Sequence, residues 1–140
     1  MKEYQINNQS GTEAIAIKLA KELKGGEILA LSGNLGAGKT VFVRALAKAL
    51  GVKENITSPT FVLMKVYDID YKKVNKFVHV DCYRLWARED LFEIGLGDYL
   101  IHANIIVAIE WADKIINLPE SAIKINIDLL DDNKRKIRIK

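Results

Sequence analysis

A glycine-rich stretch that ends in lysine and threonine is the part of this chain best suited to chemistry. Residues 33 to 40 read Gly-Asn-Leu-Gly-Ala-Gly-Lys-Thr, the pattern G-x-x-x-x-G-K-T. Glycines let the backbone turn tightly and approach oxyanions, so that successive N–H groups face phosphate oxygens. Lys39 can reach the β- and γ-phosphates, and the Thr40 hydroxyl can ligate Mg²⁺. We therefore predict a nucleoside triphosphate site whose contacts include Asn34, Leu35, Gly36, Ala37, Gly38, Lys39 and Thr40.

The sequence on either side of this loop has the pattern that the loop requires. Residues 27 to 32 form a short apolar run typical of a strand, and residues 41 to 50 carry apolar side chains at helical spacing. Strand, glycine turn and helix form the context in which the motif binds phosphate. The alternative is a glycine-rich turn that merely precedes a helix, and the matching flanks disfavour it.

The remaining patterns indicate a single α/β domain over residues 1–140 with a P-loop fold. Ser10 and Glu13 have capping-box spacing and predict the start of a first helix. We predict strands over 61–68, 76–81, 104–109, 122–129 and 134–139, a helix over 88–100, and one or two helical turns over 111–116. The apolar run 104–109 suits a parallel strand, and the last two strands suit an antiparallel hairpin. We expect a mixed sheet, parallel around the nucleotide with an antiparallel flank, and helices on both faces.

Composition and charge are those of an ordinary globular protein. The chain has 140 residues, is 49% hydrophobic and 28% charged, and carries a formal net charge of +3. No apolar run reaches membrane-spanning length, the N-terminus lacks the apolar core of a signal peptide, and Cys82 is the single cysteine. We therefore expect a cytoplasmic protein without membrane contact. The basic residues after 133 suit either an anionic partner or, more simply, a solvated strand face.

An acidic residue, Glu110, ends the apolar run that we interpret as a buried strand. In P-loop enzymes an acid at this place lies beside the loop threonine and holds Mg²⁺ directly or through water. We therefore predict that Thr40 and Glu110 form the metal site. The alternative is a solvent-exposed glutamate at a strand end. Trp111, the next residue, either covers the nucleotide or simply packs.

A third cluster lies at the end of another predicted strand, where His79 and Asp81 share one face. Asp81 can orient or deprotonate an attacking water, or hold Mg²⁺ through a water. The alternative is a structural carboxylate that pairs with Arg84 or caps a turn. His79 taken alone is typical of a packed or hydrogen-bonded residue. The hydroxyl-rich residues 57 to 60 suit either an ordinary turn or a γ-phosphate sensor.

Together these motifs resemble the TsaE family, the small bacterial ATPases of tRNA threonylcarbamoyladenosine synthesis. The resemblance covers nearly the whole chain in the order of the family. It is carried by Thr12-Glu13-Ala14-Ile15, the loop at 33–40, Thr57-Ser58-Pro59-Thr60-Phe61, His79-Val80-Asp81-Cys82-Tyr83-Arg84-Leu85, Ile109-Glu110-Trp111, Leu118-Pro119 and Arg135. Three positions depart from the family pattern: Asn34 replaces a common aspartate, Ala16 a usual glycine and Ala112 a frequent proline. None of these changes removes a required ligand.

The resemblance implies that the protein binds ATP with Mg²⁺ and hydrolyses it slowly when alone. It implies TsaD and TsaB as partners in threonylcarbamoyl transfer to the adenosine beside the tRNA anticodon, with the transfer chemistry in TsaD and tRNA met only through the complex. In that setting ATP orders residues 57 to 61 as a switch. The resemblance assigns hydrolysis to Asp81, Glu110, Lys39 and Thr60, and further nucleotide contacts to Thr12, Trp111 and Arg135, with Thr12 and Arg135 on the adenine or ribose side.

Two other classes of function stay open. A small-molecule kinase also uses a phosphate loop, but it needs a lid or substrate-binding insert, and we find no candidate between residues 50 and 104. A non-hydrolysing module whose binding depends on nucleotide is the second alternative. A GTPase is disfavoured because Asn75-Lys76 is followed by Phe77-Val78, so the guanine-reading pattern N-K-x-D does not occur.

Overall fold

A mixed sheet of seven strands organises the chain in the computed structural model. The structure describes residues 1–34, 36, 38–56, 64–83, 85, 90, 92–93, 95–100, 102–131 and 133–140. Within them the elements are β1 (Lys2–Ile6), α1 (Gln9–Glu22), β2 (Ile28–Gly33), α2 (Lys39–Ala49), β3 (Met64–Tyr71), β4 (Val74–Asp81), β5 (Ile105–Glu110), β6 (Ile123–Leu129) and β7 (Arg135–Ile139).

The strand order is β1-β7-β6-β2-β5-β4-β3. The four central strands β6, β2, β5 and β4 are parallel, while β7 and β1 at one edge and β3 at the other run antiparallel to their neighbours. This confirms the predicted mixed sheet. Because β2, β5 and β4 are parallel, their last residues Gly33, Glu110 and Asp81 lie together at the carboxyl ends of the strands. Ligands of such sheets bind at this end.

The two faces of the sheet are covered differently. Alternating side chains of β2 separate the two cores: Leu29 and Leu31 pack toward α1 and α2, whereas Ile28 and Ala30 pack on the opposite face. That opposite face is covered over the central strands by the segments after β4 and β5. These segments include the 3₁₀ helices Gly97–Tyr99 and Ala112–Lys114. Helices thus lie on both faces, as predicted, with α1 and α2 together on one of them.

Three local features differ from the predictions. The cap of α1 is Asn8, whose Oδ1 accepts a hydrogen bond from the Gly11 N–H at 2.9 Å, so the helix begins before Ser10. Strand β1 was not predicted, since most of its side chains are exposed. The predicted helix over 88–100 is wrong in its described part, which contains turns and the short 3₁₀ helix. Gly95 has a φ of 88°, a backbone conformation that interrupts an α-helix. Residues 88, 89, 91 and 94 lie outside the described residues.

The flank formed by β6, β7 and β1 carries charged side chains on the face away from α1. Arg138 pairs with Asp128 at 3.1 Å, and Lys136 pairs with Glu3 at 3.4 Å. These basic residues thus occupy the solvated strand face that their alternation predicts. In the described part of the chain, no helix combines the length and the apolarity needed to cross a membrane.

Gly33 lets β2 approach β6 closely, and this contact can be tested. The residue has a φ of 135°, and a Cβ there would lie 1.9 Å from the Ile127 carbonyl oxygen. We expect Gly33→Ala to lower the free energy of unfolding by about 3 kcal/mol or more, because backbone strain and a backbone collision add. Urea unfolding followed by circular dichroism measures this difference.

Gly36→Ala is the matched control for that measurement. Gly36 also has a positive φ, of 77°, but a Cβ added there would have no described atom within 4 Å. We expect a loss of only about 1–2 kcal/mol from conformation alone. Equal losses in the two variants would contradict the proposed collision between β2 and β6.

Candidate functional site

The glycine-rich loop joins the end of β2 to the start of α2. Gly38 is the N-cap of α2 and has a φ of 107°, in the left-handed region that glycine adopts readily. The first turn of α2 therefore begins directly at Lys39, and its N–H groups lie at the carboxyl ends of the central strands. Such a helix start attracts anions, because unpaired N–H groups and the helix dipole act together. Leu35 and Ala37 lie outside the described residues.

Lys39 is buried, and its ammonium group bridges the two ends of the loop. Its Nζ donates to the carbonyl oxygens of Gly33 at 2.8 Å and Asn34 at 2.7 Å. Burial lowers the pKa of Lys39, and the charges of Glu110, Asp113 and Asp81 oppose that shift. The two carbonyl contacts hold the Lys39 ammonium group at the start of the glycine-rich loop, although the lysine is only 4% exposed.

Glu110 connects the end of β5 to the start of α2. The Thr40 hydroxyl donates to Glu110 Oε1 at 2.8 Å, although the two residues are 70 positions apart in sequence. The other carboxylate oxygen, Oε2, lies 2.5 Å from His79 Nε2 on β4. Glu110 is only 2% exposed. Both of its oxygens thus have a defined partner, and the alternative of a solvent-exposed glutamate does not fit this geometry.

Asp81 faces the same pocket from the end of β4. It is the register partner of Glu110 on the neighbouring strand, and its Oδ1 accepts a hydrogen bond from the Tyr83 N–H at 2.9 Å. The carboxylate therefore also stabilises the turn that follows β4. The pocket has a volume of about 340 Å³ and is lined by Gly36, Gly38, Lys39, Thr40, Val41, Asp81, Tyr83, Glu110 and Trp111.

Trp111 lies over the lysine of the loop. Lys39 Nζ is 4.1 Å from the centroid of the indole ring, a cation–π distance. The backbone of Trp111 is left-handed, with φ 56° and ψ 43°, which is unusual for a bulky residue. This conformation turns the chain sharply after β5. The Trp111 ring also packs at 5.2 Å from the Tyr83 ring, so it joins the loops that follow β5 and β4.

Lys114 reinforces that connection, and its role was not predicted. Its Nζ donates to the carbonyl oxygens of Tyr83 at 2.5 Å and Leu85 at 3.0 Å. The ammonium group also lies 5.7 Å from the Tyr83 ring centroid. Because these acceptors are main-chain carbonyls, the sequence carried no signal that could have identified Lys114.

Three predicted nucleotide contacts, Asn34, Arg135 and Thr12, do not line the 340 Å³ pocket. Asn34 Oδ1 accepts a hydrogen bond from the Leu129 N–H at 3.4 Å, and Leu129 is the register partner of Arg135. Arg135 in turn pairs in register with Ile6 of β1, the strand that precedes α1. Thr12 is buried in α1 and only 3% exposed. Asn34 and Arg135 therefore both lie near Leu129, at the carboxyl end of β6. Thr12 lies elsewhere, in α1.

Thr60 and the rest of residues 57 to 63 lie outside the described residues, as does Arg84. The described chain that precedes residue 57 is held against α2, because Arg44 Nε of α2 donates to the Ile56 carbonyl oxygen at 3.0 Å.

Another cavity, of about 550 Å³, lies on the charged outer face near Lys124 and Arg138. It is lined by none of the predicted site residues. Cys82 is buried, which raises the pKa of its thiol to about 12 and makes it a poor nucleophile.

The sequence matches known proteins over nearly its whole length. A family model described as threonylcarbamoyl adenosine biosynthesis protein TsaE matches residues 6–137. The tRNA threonylcarbamoyladenosine biosynthesis protein TsaE of Aquifex aeolicus (strain VF5) is 40% identical over 141 residues, covering 99% of this chain and 96% of that protein. The protein of the same name from Bacillus subtilis (strain 168) is 36% identical over 136 residues, covering 96% of this chain and 82% of that protein.

The fold has a solved counterpart. The crystal structure of Bacillus subtilis YdiB superposes with a TM-score of 0.70 and 30% sequence identity, covering 99% of this chain and 83% of that one. A phosphate loop at the expected sheet edge and a family match over residues 6–137 agree with each other. This chain therefore belongs to the TsaE family, which acts in tRNA threonylcarbamoyladenosine biosynthesis.

Proposed function

We propose that this protein binds ATP with Mg²⁺ at the phosphate loop and hydrolyses it, slowly when alone. We further propose that it acts in the cytoplasm with the TsaB and TsaD subunits. In this proposal it supports the transfer of a threonylcarbamoyl group to the adenosine beside the tRNA anticodon, while TsaD carries out the transfer and the complex holds the tRNA. Membership of the TsaE family supports the pathway, and the geometry of the loop supports the nucleotide.

The observation that carries the proposal is the hydrogen bond between Thr40 and Glu110. It brings together a hydroxyl and a carboxylate at the start of α2, beside the buried Lys39. Mg²⁺ prefers oxygen ligands and is usually bound by one or two protein groups together with substrate phosphates and waters. The two side chains fit that requirement. When bound, Mg²⁺ neutralises charge on the β- and γ-phosphate oxygens.

Lys39 and the start of α2 bind the phosphates in this proposal. Two of the three ammonium protons hold the loop carbonyls of Gly33 and Asn34, and the third can donate to a phosphate oxygen. The N–H groups of the first turn of α2 add donors that point at the same place. Trp111 excludes water from one side of the ammonium group, which strengthens its attraction to phosphate.

Asp81 is the candidate for orienting the attacking water, because it lines the same pocket as Lys39, Thr40 and Glu110. Its Oδ1 holds the Tyr83 N–H, so the carboxylate has a fixed direction. We assign Thr60 to sensing the γ-phosphate on the family resemblance alone. The position of Arg135 beside the end of β6 supports assigning it, with Thr12, to the ribose or adenine side, while Asn34 stays with the loop that contacts the phosphates.

Removal of the loop ammonium group tests nucleotide binding. We expect Lys39→Ala to weaken ATP binding by about ten- to a hundredfold, because a charge-assisted hydrogen bond contributes about 1.5–3 kcal/mol. Isothermal titration calorimetry measures the affinity, and thermal unfolding checks that the variant is folded. Lys48→Ala is the matched control, since Lys48 is an exposed lysine in the last turn of the same helix. An unchanged affinity in a folded Lys39→Ala protein would contradict the assignment.

Replacement of the carboxylate by an amide tests hydrolysis. We expect Glu110→Gln to lower the rate of phosphate release from MgATP at least about tenfold, because the neutral side chain no longer attracts the metal. Glu120→Gln is the control, since Glu120 is exposed and lies outside the pocket. Unchanged phosphate release in Glu110→Gln would exclude the proposed role of Glu110.

The two alternative classes give different products in the same assay. Transfer of the γ-phosphate to a compound from a metabolite panel would indicate a small-molecule kinase. Nucleotide binding without phosphate release, even with TsaB and TsaD present, would indicate a non-hydrolysing module.

The proposed partners are tested by affinity capture from bacterial lysate with and without ATP, followed by mass spectrometry. We expect TsaB and TsaD to be retained with ATP and reduced at least about tenfold with Lys39→Ala, because the loop must bind nucleotide to support the complex. Lys48→Ala again serves as the control. Recovery of neither subunit in either condition would refute the partner assignment while leaving the nucleotide site intact.

A further inference from the structure

We propose that His79 is a positioning residue that fixes the orientation of the Glu110 carboxylate, so that one of its oxygens faces Thr40 and the metal. The proposal deepens the proposed MgATP site and rests on it. The sequence predicts that His79 is a packed or hydrogen-bonded residue of β4. Neither packing nor its neighbour Asp81 explains its contact with Glu110 on the adjacent strand.

The register of the sheet creates this contact. His79 lies directly opposite Ala108 on β5, and Glu110 is two residues further along that strand, on the same face. The small side chain of Ala108 leaves room for the imidazole to reach diagonally to Glu110. His79 Nε2 and Glu110 Oε2 are 2.5 Å apart, and His79 is fully buried.

The direction of the hydrogen bond follows from the chemistry of an ionised carboxylate. Glu110 can only accept, and its Oε1 already accepts from Thr40. His79 must therefore donate from Nε2. Its other ring nitrogen, Nδ1, is buried and has no hydrogen-bond partner within the described part of the chain.

That unpartnered nitrogen argues against a purely structural role. A buried polar atom without a partner costs stability, whereas an aliphatic side chain at the same place would have no such cost. The one polar contact that the imidazole does make, among the residues described, is to the candidate metal ligand. The arrangement therefore favours a role in directing the Glu110 carboxylate over a role in packing.

The consequence concerns the last torsion of Glu110, which is broad and two-fold for a carboxylate. With Oε2 held by His79, rotation about this bond loses a charge-assisted hydrogen bond. Oε1 then stays beside Thr40 and the pocket. A side chain that cannot donate would release the carboxylate and weaken the metal site without removing any ligand.

The test compares His79→Leu with His79→Gln, whose amide can still donate a hydrogen bond. The first readout is the factor by which Mg²⁺ raises ATP affinity in calorimetry, which requires no hydrolysis. We expect His79→Leu to reduce this factor at least about tenfold while leaving the affinity measured in EDTA within about twofold, and His79→Gln to recover most of the loss. His102→Leu is the control, because His102 is the other histidine and is exposed.

A second readout is independent of nucleotide. Long-range ¹⁵N–¹H NMR of the wild-type protein should find the His79 proton on Nε2 and not on Nδ1, with His102 assigned from its variant. An Nδ1-protonated ring that lacks Nε2–H would overturn the proposal, as would a folded His79→Leu protein with wild-type Mg²⁺ dependence. The proposed function fails differently: wild-type protein that binds no ATP in EDTA or Mg²⁺ refutes the site itself, and the NMR result still decides the direction of the His79 bond.

Discussion

The pairing of β2 with β5 brings Thr40 and Glu110 into hydrogen-bond contact, and the other side chains of the candidate site lie around this pair. Strand β2 leads into the loop and α2, while β5 ends at Glu110. Since these strands are parallel neighbours, Thr40 of the loop and Glu110, which are 70 residues apart, meet at the carboxyl ends of the strands. Gly33 permits a similarly close approach of β2 to β6 on the other side. The geometry of the candidate site is thus set by the central strands.

Around this contact the structure divides the proposed nucleotide site into two regions. On the β5 and β4 side, Glu110, Asp81 and Trp111 surround the loop lysine, and Lys114 links the two loops through main-chain carbonyls. On the β6 side, Asn34 is connected through Leu129 to the position of Arg135. We expect phosphate chemistry around the loop, including Asn34, and recognition of the ribose or base near Arg135.

The parts that could be predicted are those whose information is local. The loop has fixed spacing, and the apolar run that ends in Glu110 identifies a buried strand with an acid at its end. The mixed character of the sheet followed from similar patterns. Strand β1 escaped prediction because its pairing with β7 is made by the main chain while its side chains stay largely exposed. The partners of His79 and Lys114 depend on strand register and on carbonyl positions, which single-residue patterns do not encode.

An open sheet with antiparallel strands at both edges has unpaired main-chain groups there, and such edges can recruit strands from other molecules. The side chains of this chain oppose that association. Edge strand β1 is only five residues long and begins with Lys2 and Glu3, while β3 exposes Lys65, Asp68 and Asp70. Charges on an edge strand must be desolvated before a second strand can pair, and this discourages aggregation. The mixed topology that assembles the site therefore leaves two edge strands, and their exposed charges discourage pairing with strands of other molecules.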